Sequence, residues 1–283
     1  MKLTRDMRHL FKSLNNDQKK PDCVLFYNYD FHNLHLTGVP INNLEYFFTI
    51  FEYNPDFKFI MLNAHESVKQ DLIKVAENRY YLDDLKGYQD NIICMKMADL
   101  LKFRLGRVLV TDILTLLKTK DVLRFFWMHY LVEEDYDFPY RYVTKYAEMP
   151  FHKGKRYRMK MLFNRFRMLN SVDKGIYINS PKNFDFSFLK YLDLPDKPIV
   201  YKSRSHLENM FEKFDTYLYW HANRWFDPSP RMFAECYFYN KKILYYNHDN
   251  IKDGSWYRYN DLMENGLSGR ILGKNDELVQ EFI

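Results

Sequence analysis

Short apolar runs separated by longer stretches of helical spacing recur along this chain, and that alternation confines it to a small set of folds. Cys23 to Tyr27, Phe57 to Leu62, Ile92-Ile93-Cys94 and Val108-Leu109-Val110 have the length and apolar content of buried strands. Between them, Ile41, Leu44, Phe48 and Phe51 follow one helical stripe, and Val68, Leu72 and Val75 mark a second within Glu66 to Arg79. A strand that is apolar throughout needs cover on both faces, and alternating helices supply it in a parallel, doubly wound α/β sheet. The series resumes later, with Ile176-Tyr177-Ile178, Ile199-Val200-Tyr201, Tyr217 to Trp220 and Ile243 to Tyr246 as strands. Leu207, Met210, Phe211 and Phe214 mark a short helix before Tyr217. Leu123 to Tyr130 suits a buried strand, although its aromatic density also suits a helix.

Glu133 to Pro150, rich in acids and aromatics and carrying two prolines, breaks the periodicity. It divides the chain into two Rossmann-like halves, 1–150 and 151–283, and 283 residues suffice for two such domains. The tail after Leu267 has Gly269 and Gly273 and then helix-forming residues. Met1 to Lys20 lacks an apolar signal core, and no run of about 20 apolar residues occurs, so the expectation is a cytoplasmic chain without a transmembrane segment. Cys23, Cys94 and Cys236 are odd in number and widely spaced, which suits a reducing compartment and no metal. Lysine and arginine total 42 against 37 acids, a mild positive balance that favours anionic partners without naming one. Neither a G-x-G-x-x-G fingerprint nor a P-loop is present, so dinucleotide oxidoreductase and P-loop NTPase readings lose their main support.

The stretch Phe226-Asp227-Pro228-Ser229-Pro230-Arg231-Met232-Phe233-Ala234-Glu235-Cys236 carries the most chemistry. Ser229 caps a helix whose first residue is Pro230. Asp227 then lies on the loop ahead of a helix N-terminus suited to a diphosphate, and Glu235 lies about one and a half turns in. The plain alternative has Asp227 helping the cap and Glu235 solvated.

This acid, seven residues, glutamate pattern between two strands resembles the donor-binding motif of retaining GT-B glycosyltransferases, with Asp227 in place of the commoner glutamate and Cys236, Tyr237 and Phe238 in place of small residues. The resemblance implies two Rossmann-like domains facing a cleft. It implies that Asp227 and neighbouring amides contact the donor sugar and that Glu235 holds the ribose hydroxyls. It also implies retention at the anomeric carbon, with the leaving diphosphate helping to take the acceptor proton.

Other candidates join by position. Lys202 and Arg204 follow the strand ending at Tyr201, and Lys182 follows the one ending near Asn179, where cations would stabilise a departing diphosphate. Ser229 and Arg231 complete the donor side, with Gly38 as a glycine in the first strand-to-helix loop. His129 is the first-half histidine best placed by chain order to stand beside the sugar, and Asp112 is a lower-ranked strand-end acid. The segment 152–167 concentrates Arg156, Arg158, Lys160 and Arg167, and on a helix Arg156, Lys160 and Arg167 share a face. Such an element tracks a phosphate backbone, lies on an anionic membrane, or is a solvated face.

The expected activity is transfer of a sugar from a nucleotide diphosphate donor, read as a UDP-sugar, to an acceptor hydroxyl, with no cofactor or metal required. Composition and compactness also resemble the sugar transferases with which bacteriophages modify their DNA. That resemblance implies double-stranded DNA as partner and 5-hydroxymethylcytosine as acceptor. The rival readings are a cell-surface or lipid-linked polysaccharide transferase and a non-catalytic nucleic-acid-binding protein.

Overall fold

A computed structural model describes residues 20–34, 38–100, 105–112, 115, 118–119, 127–132, 154–158, 165–178, 199–200, 210–220, 231–246 and 276–283. Six strands form the first sheet: β1 (Cys23–Tyr27), β2 (Lys58–Leu62), β3 (Ile92–Met95), β4 (Arg107–Val110), β5 (Trp127–Val132) and β6 (Gly154–Arg158). Their spatial order is β3-β2-β1-β4-β5-β6 and every pairing is parallel. Helices α1 (Gly38–Phe51) and α2 (Glu66–Arg79) make the crossovers from β1 to β2 and from β2 to β3, and the short α3 (Met97–Leu100) follows β3.

The two-residue period of each strand sorts its side chains between two cores. Val24, Phe26, Phe59, Met61 and Leu109 join Leu44, Phe47, Val68 and Leu72 of α1 and α2 in one. Cys23, Leu25, Ile60, Leu62, Val108 and Val110 join Leu100 and Leu105 in the other. Helix α2 begins where the His65 ring accepts the Ser67 N–H at 3.2 Å, and Glu66 in its first turn and Arg79 in its last complement the helix dipole.

The second sheet contains β7 (Ile176–Ile178), β8 (Ile199–Val200), β9 (Thr216–Trp220) and β10 (Lys242–Tyr246), ordered β10-β9-β7-β8 and again parallel. Helix α4 (Arg231–Phe238) joins β9 to β10 and ends at Asn240, whose φ of 53° is the left-handed conformation that asparagine tolerates. Its Cys236 packs with Phe211, Phe214, Tyr217 and Ile243 beneath the sheet. Lys241 is buried there, its ammonium donating to the carbonyls of Phe211 at 2.5 Å and Phe214 at 2.7 Å. Two parallel sheets covered by helices make the chain an α/β protein.

The tail ends in α5 (Asp276–Phe282), which packs on the first sheet's layer. The Phe282 ring meets Phe57 edge-on at 5.2 Å, and its carbonyl accepts the Asn54 amide at 2.8 Å.

The helix expected over 152–167 is replaced where it is described. Gly154–Arg158 is strand β6, paired with β5 from Met128↔Gly154 to Val132↔Arg158. Backbone pairing along an open sheet edge outweighs the helical charge spacing, and lysine and arginine are well tolerated on an edge strand. The first sheet therefore runs on past residue 150. Phe166 forms an antiparallel bridge with Tyr80, flanked by Tyr81 N–H to Arg165 carbonyl at 2.8 Å and Arg167 N–H to Arg79 carbonyl at 2.9 Å. The short helix expected before Tyr217 is a 3-10 turn at Met210–Glu212.

Candidate functional site

In a doubly wound sheet the crossover loops part at the carboxyl ends of the strands where the order reverses, and ligands bind in that crevice. The chain leaves β1 through α1 toward β2, while β4 pairs on the other side of β1, so the reversal in the first sheet lies between β1 and β4. Asn28, directly after β1, is fully buried; its N–H donates to the Leu62 carbonyl at 2.9 Å and its amide to the carbonyls of Asp30 and Asn33. Asn63, after β2, returns its amide to the Asn28 carbonyl at 2.9 Å from a left-handed φ of 54°. These bonds hold the 28–34 loop in shape.

On that loop Asp30 accepts the His32 N–H and the Asn33 amide, each at 2.9 Å, and these donors hold its carboxyl below the ordinary carboxylate range. His32 and His65, at the ends of neighbouring strands, are both exposed and their ring centroids lie 5.4 Å apart, with Phe31 edge-on to each. Nδ1 of His65 faces the Ser67 N–H and hydroxyl, which leaves Nε2 as the outward nitrogen. On the β4 side, Asp112 accepts the Thr115 N–H at 2.8 Å and hydroxyl at 2.6 Å, and the Thr115 oxygen accepts the Tyr27 N–H at 2.8 Å. Thr111 is buried, and its hydroxyl has no partner among the described residues. Two exposed imidazoles beside a braced polar loop can take and return a proton at a bound hydroxyl.

In the second sheet, β9, α4 and β10 form the strand, loop, helix, strand unit read around the acid motif. Glu235 lies past the middle of α4, 4% exposed, and pairs with Arg79. The Arg79 guanidinium also stands 5.5 Å from the Phe166 ring centre and 5.9 Å from that of Phe211. Rather than facing an open cleft, the Glu235 carboxylate is enclosed in the seam between the layers. Arg79 ends α2 and His65 begins it, so about 20 Å of helix separates Glu235 from the histidine pair.

The other sequence-derived candidates distribute as follows. Gly38 opens α1, and Arg231 opens α4. His129 is the third residue of β5, in register with Leu109 and Lys155, and so lies within a strand instead of at its carboxyl end. Arg156 and Arg158 lie on β6. Arg167 is not on a helix face with Arg156; its Nε donates to the Glu77 and Tyr80 carbonyls, each at 2.9 Å, and its guanidinium covers the Tyr81 ring at 4.9 Å. Asp227, Ser229, Lys182, Lys202, Arg204 and Lys160 lie outside the described residues. Among the described residues, no group of three or more His, Cys, Asp or Glu is placed to hold a metal ion, and no helix is long and apolar enough to cross a membrane.

Sequence reasoning missed Asn28, Asn63, His32 and His65. Their only local signal is a polar residue directly after an apolar run.

Comparison with protein-family models, curated proteins and solved structures found no match.

Proposed function

We propose that this protein is a GT-B-like glycosyltransferase that moves a sugar from a nucleotide diphosphate donor to an acceptor hydroxyl. The observation that carries the reading is the β9–α4–β10 unit in an all-parallel sheet, with Glu235 on its helix and Asp227 between β9 and α4 in sequence, beside a second parallel sheet in the same chain. In this reading the diphosphate meets the N-terminus of α4, which Arg231 opens two residues after Ser229 in sequence and where the helix dipole favours negative charge. Asp227 contacts the sugar. Lys202, Arg204 and Lys182 stabilise the departing diphosphate, a charge that grows in the transition state. The leaving diphosphate helps to take the acceptor proton, because His32 and His65 lie about 20 Å of helix away from Glu235. Glu235 acts by fixing α4 against Arg79, and holding ribose hydroxyls would require it to exchange that partner.

The acceptor we propose is the hydroxymethyl group of 5-hydroxymethylcytosine in double-stranded DNA, approached along the basic stretch that contains Lys155, Arg156 and Arg158. The test is incubation with uridine and guanosine diphosphate sugars, with and without hydroxymethylcytosine DNA, followed by mass analysis of the nucleosides. The expected product is a nucleoside heavier by one sugar. Asp227→Ala is expected to lower kcat about a hundredfold, the scale of losing one contact made in the transition state. Donor hydrolysis without a mass shift would remove DNA as the acceptor, and no turnover of any donor would remove the transferase reading.

A further inference from the structure

Among the described residues, three arginines stand along the seam between the two layers, and their charges are treated differently. Arg79 has Glu235. Arg165 has Glu52 at 2.8 Å and Asp84 at 2.9 Å. Arg167 has two backbone carbonyls, which take its Nε, and the Tyr81 ring, and among the described residues no carboxylate lies within ion-pair reach of it. Its plane is thus fixed while its Nη groups meet no acceptor among the described residues, and a fixed guanidinium fork matches an oxyanion.

Arg167 lines a half-open pocket of about 80 Å³ at this seam. Phe166, Phe211 and Tyr239 give it apolar walls, and its polar lining includes Asn78, Asn170, Glu212 and Arg79, the last with its charge already met by Glu235. Glu212 accepts the Asn170 N–H through Oε1 at 3.2 Å, and its second oxygen is an acceptor for a hydroxyl. The volume has room for several waters, or for one tetrahedral oxyanion with its ester oxygen and adjoining carbons. A cation and a hydroxyl acceptor in one small pocket select a molecule that bears both an oxyanion and hydroxyl groups.

We propose that this seam pocket binds a phosphate monoester of a polyol, such as a sugar phosphate or the phosphate and ribose of a nucleotide, with Arg167 on the phosphate and Glu212 on a hydroxyl. The site draws on the α2 end and the 165–170 segment on one side and the 3-10 turn and Tyr239 on the other, so its ligand joins the two layers. It does not depend on the sugar-transfer reading, because its test measures binding alone.

Calorimetric titration of the full chain with ribose 5-phosphate, inorganic phosphate and ribose tests the site. Ribose 5-phosphate is expected to bind more tightly than phosphate, and ribose not to bind. Arg167→Gln is expected to weaken both phosphate-bearing probes at least tenfold. Glu212→Gln is expected to tighten inorganic phosphate, by removing a like charge, and to shrink the preference for ribose 5-phosphate. If Arg167→Gln loses its fold with its two carbonyl contacts, Glu212→Gln decides alone, and unchanged affinities in that variant overturn the proposal. So does the absence of binding by either phosphate at millimolar concentration. Binding of duplex DNA, sensitive to Arg167→Gln, without binding of the small probes would give Arg167 to a nucleic-acid contact and also overturn it.

Discussion

Arg79 and Glu235 are 156 residues apart in sequence and meet as a buried ion pair, with side-chain exposures of 8% and 5%. Removing one partner of such a pair leaves the other charge buried and uncompensated, which costs about 3–5 kcal/mol, whereas replacing both by apolar residues of similar volume is often close to neutral. Glu235→Ala is therefore expected to lower the urea unfolding free energy by about that amount. Arg79→Met with Glu235→Leu is expected to recover most of it. If Glu235→Ala leaves stability unchanged and weakens only nucleotide binding, the carboxylate serves the donor instead of the seam. From sequence, the acid spacing read Glu235 as a ligand group, because spacing along α4 does not report what α4 packs against. Gly106 illustrates the same point on the backbone: a Cβ there would meet the Asp22 carboxylate and, at 2.9 Å, the Lys20 carbonyl, a crowding set by folding alone.

Among the elements, the strands of both sheets apart from β6 were legible, with β5 left open between strand and helix, because apolar β-branched and aromatic runs have few other uses. Cys23–Tyr27 and Ile176–Ile178 match the expected bounds, and Glu66–Arg79 matches as a helix. Strand β5 begins at Trp127, within the expected 123–130 run, and continues to Val132. The basic stretch misled because its residues fit an amphipathic helix equally well, and the edge of β5 decided between the two. Helix α5 makes a testable element. Phe282 is fully buried against Phe57, with the Arg107 guanidinium 5.2 Å from its ring centre. Phe282→Ala is expected to cost about 3–5 kcal/mol, read by denaturant unfolding. A loss below about 1 kcal/mol would mean that the site collapses freely or that α5 is not fastened there.

The whole molecule carries its buried titratable groups into its pH profile. Burial pushes the Cys23 and Cys236 thiols well above their ordinary value of 9.0, with neighbouring carboxylates adding to it, and Cys94 up to about 11. Groups whose folded pKa is raised contribute stability that is complete below the unfolded value and is lost as pH climbs toward the folded one. Burial moves Lys241 the other way, below 10.5, so between its lowered value and 10.5 this group makes stability rise with pH. Three thiols, joined above pH 10 by Tyr88, whose hydroxyl burial pushes up to about 12, stand against one lysine and set the net sign. Stability is expected to fall from pH 9 toward pH 11, each thiol contributing about 1.4 kcal/mol per pH unit. Cys236→Ala is expected to flatten that fall, and a profile identical to the parent would show that the thiol is not protected. Thiol labelling at pH 8 is expected to leave Cys23 and Cys236 unreacted in the folded chain.

By itself the sequence determined the α/β class, the parallel character of both sheets and the βαβ unit around the acid motif, because apolar period and strand length are local properties that each segment carries with it. The tertiary structure alone decided that β6 extends the first sheet, that Glu235 faces Arg79, that Arg167 has no acid partner among the described residues, and that His32 and His65 stand together at the strand ends. Each of these depends on which distant segment arrives at a surface, and that is settled by packing and desolvation among residues far apart along the chain.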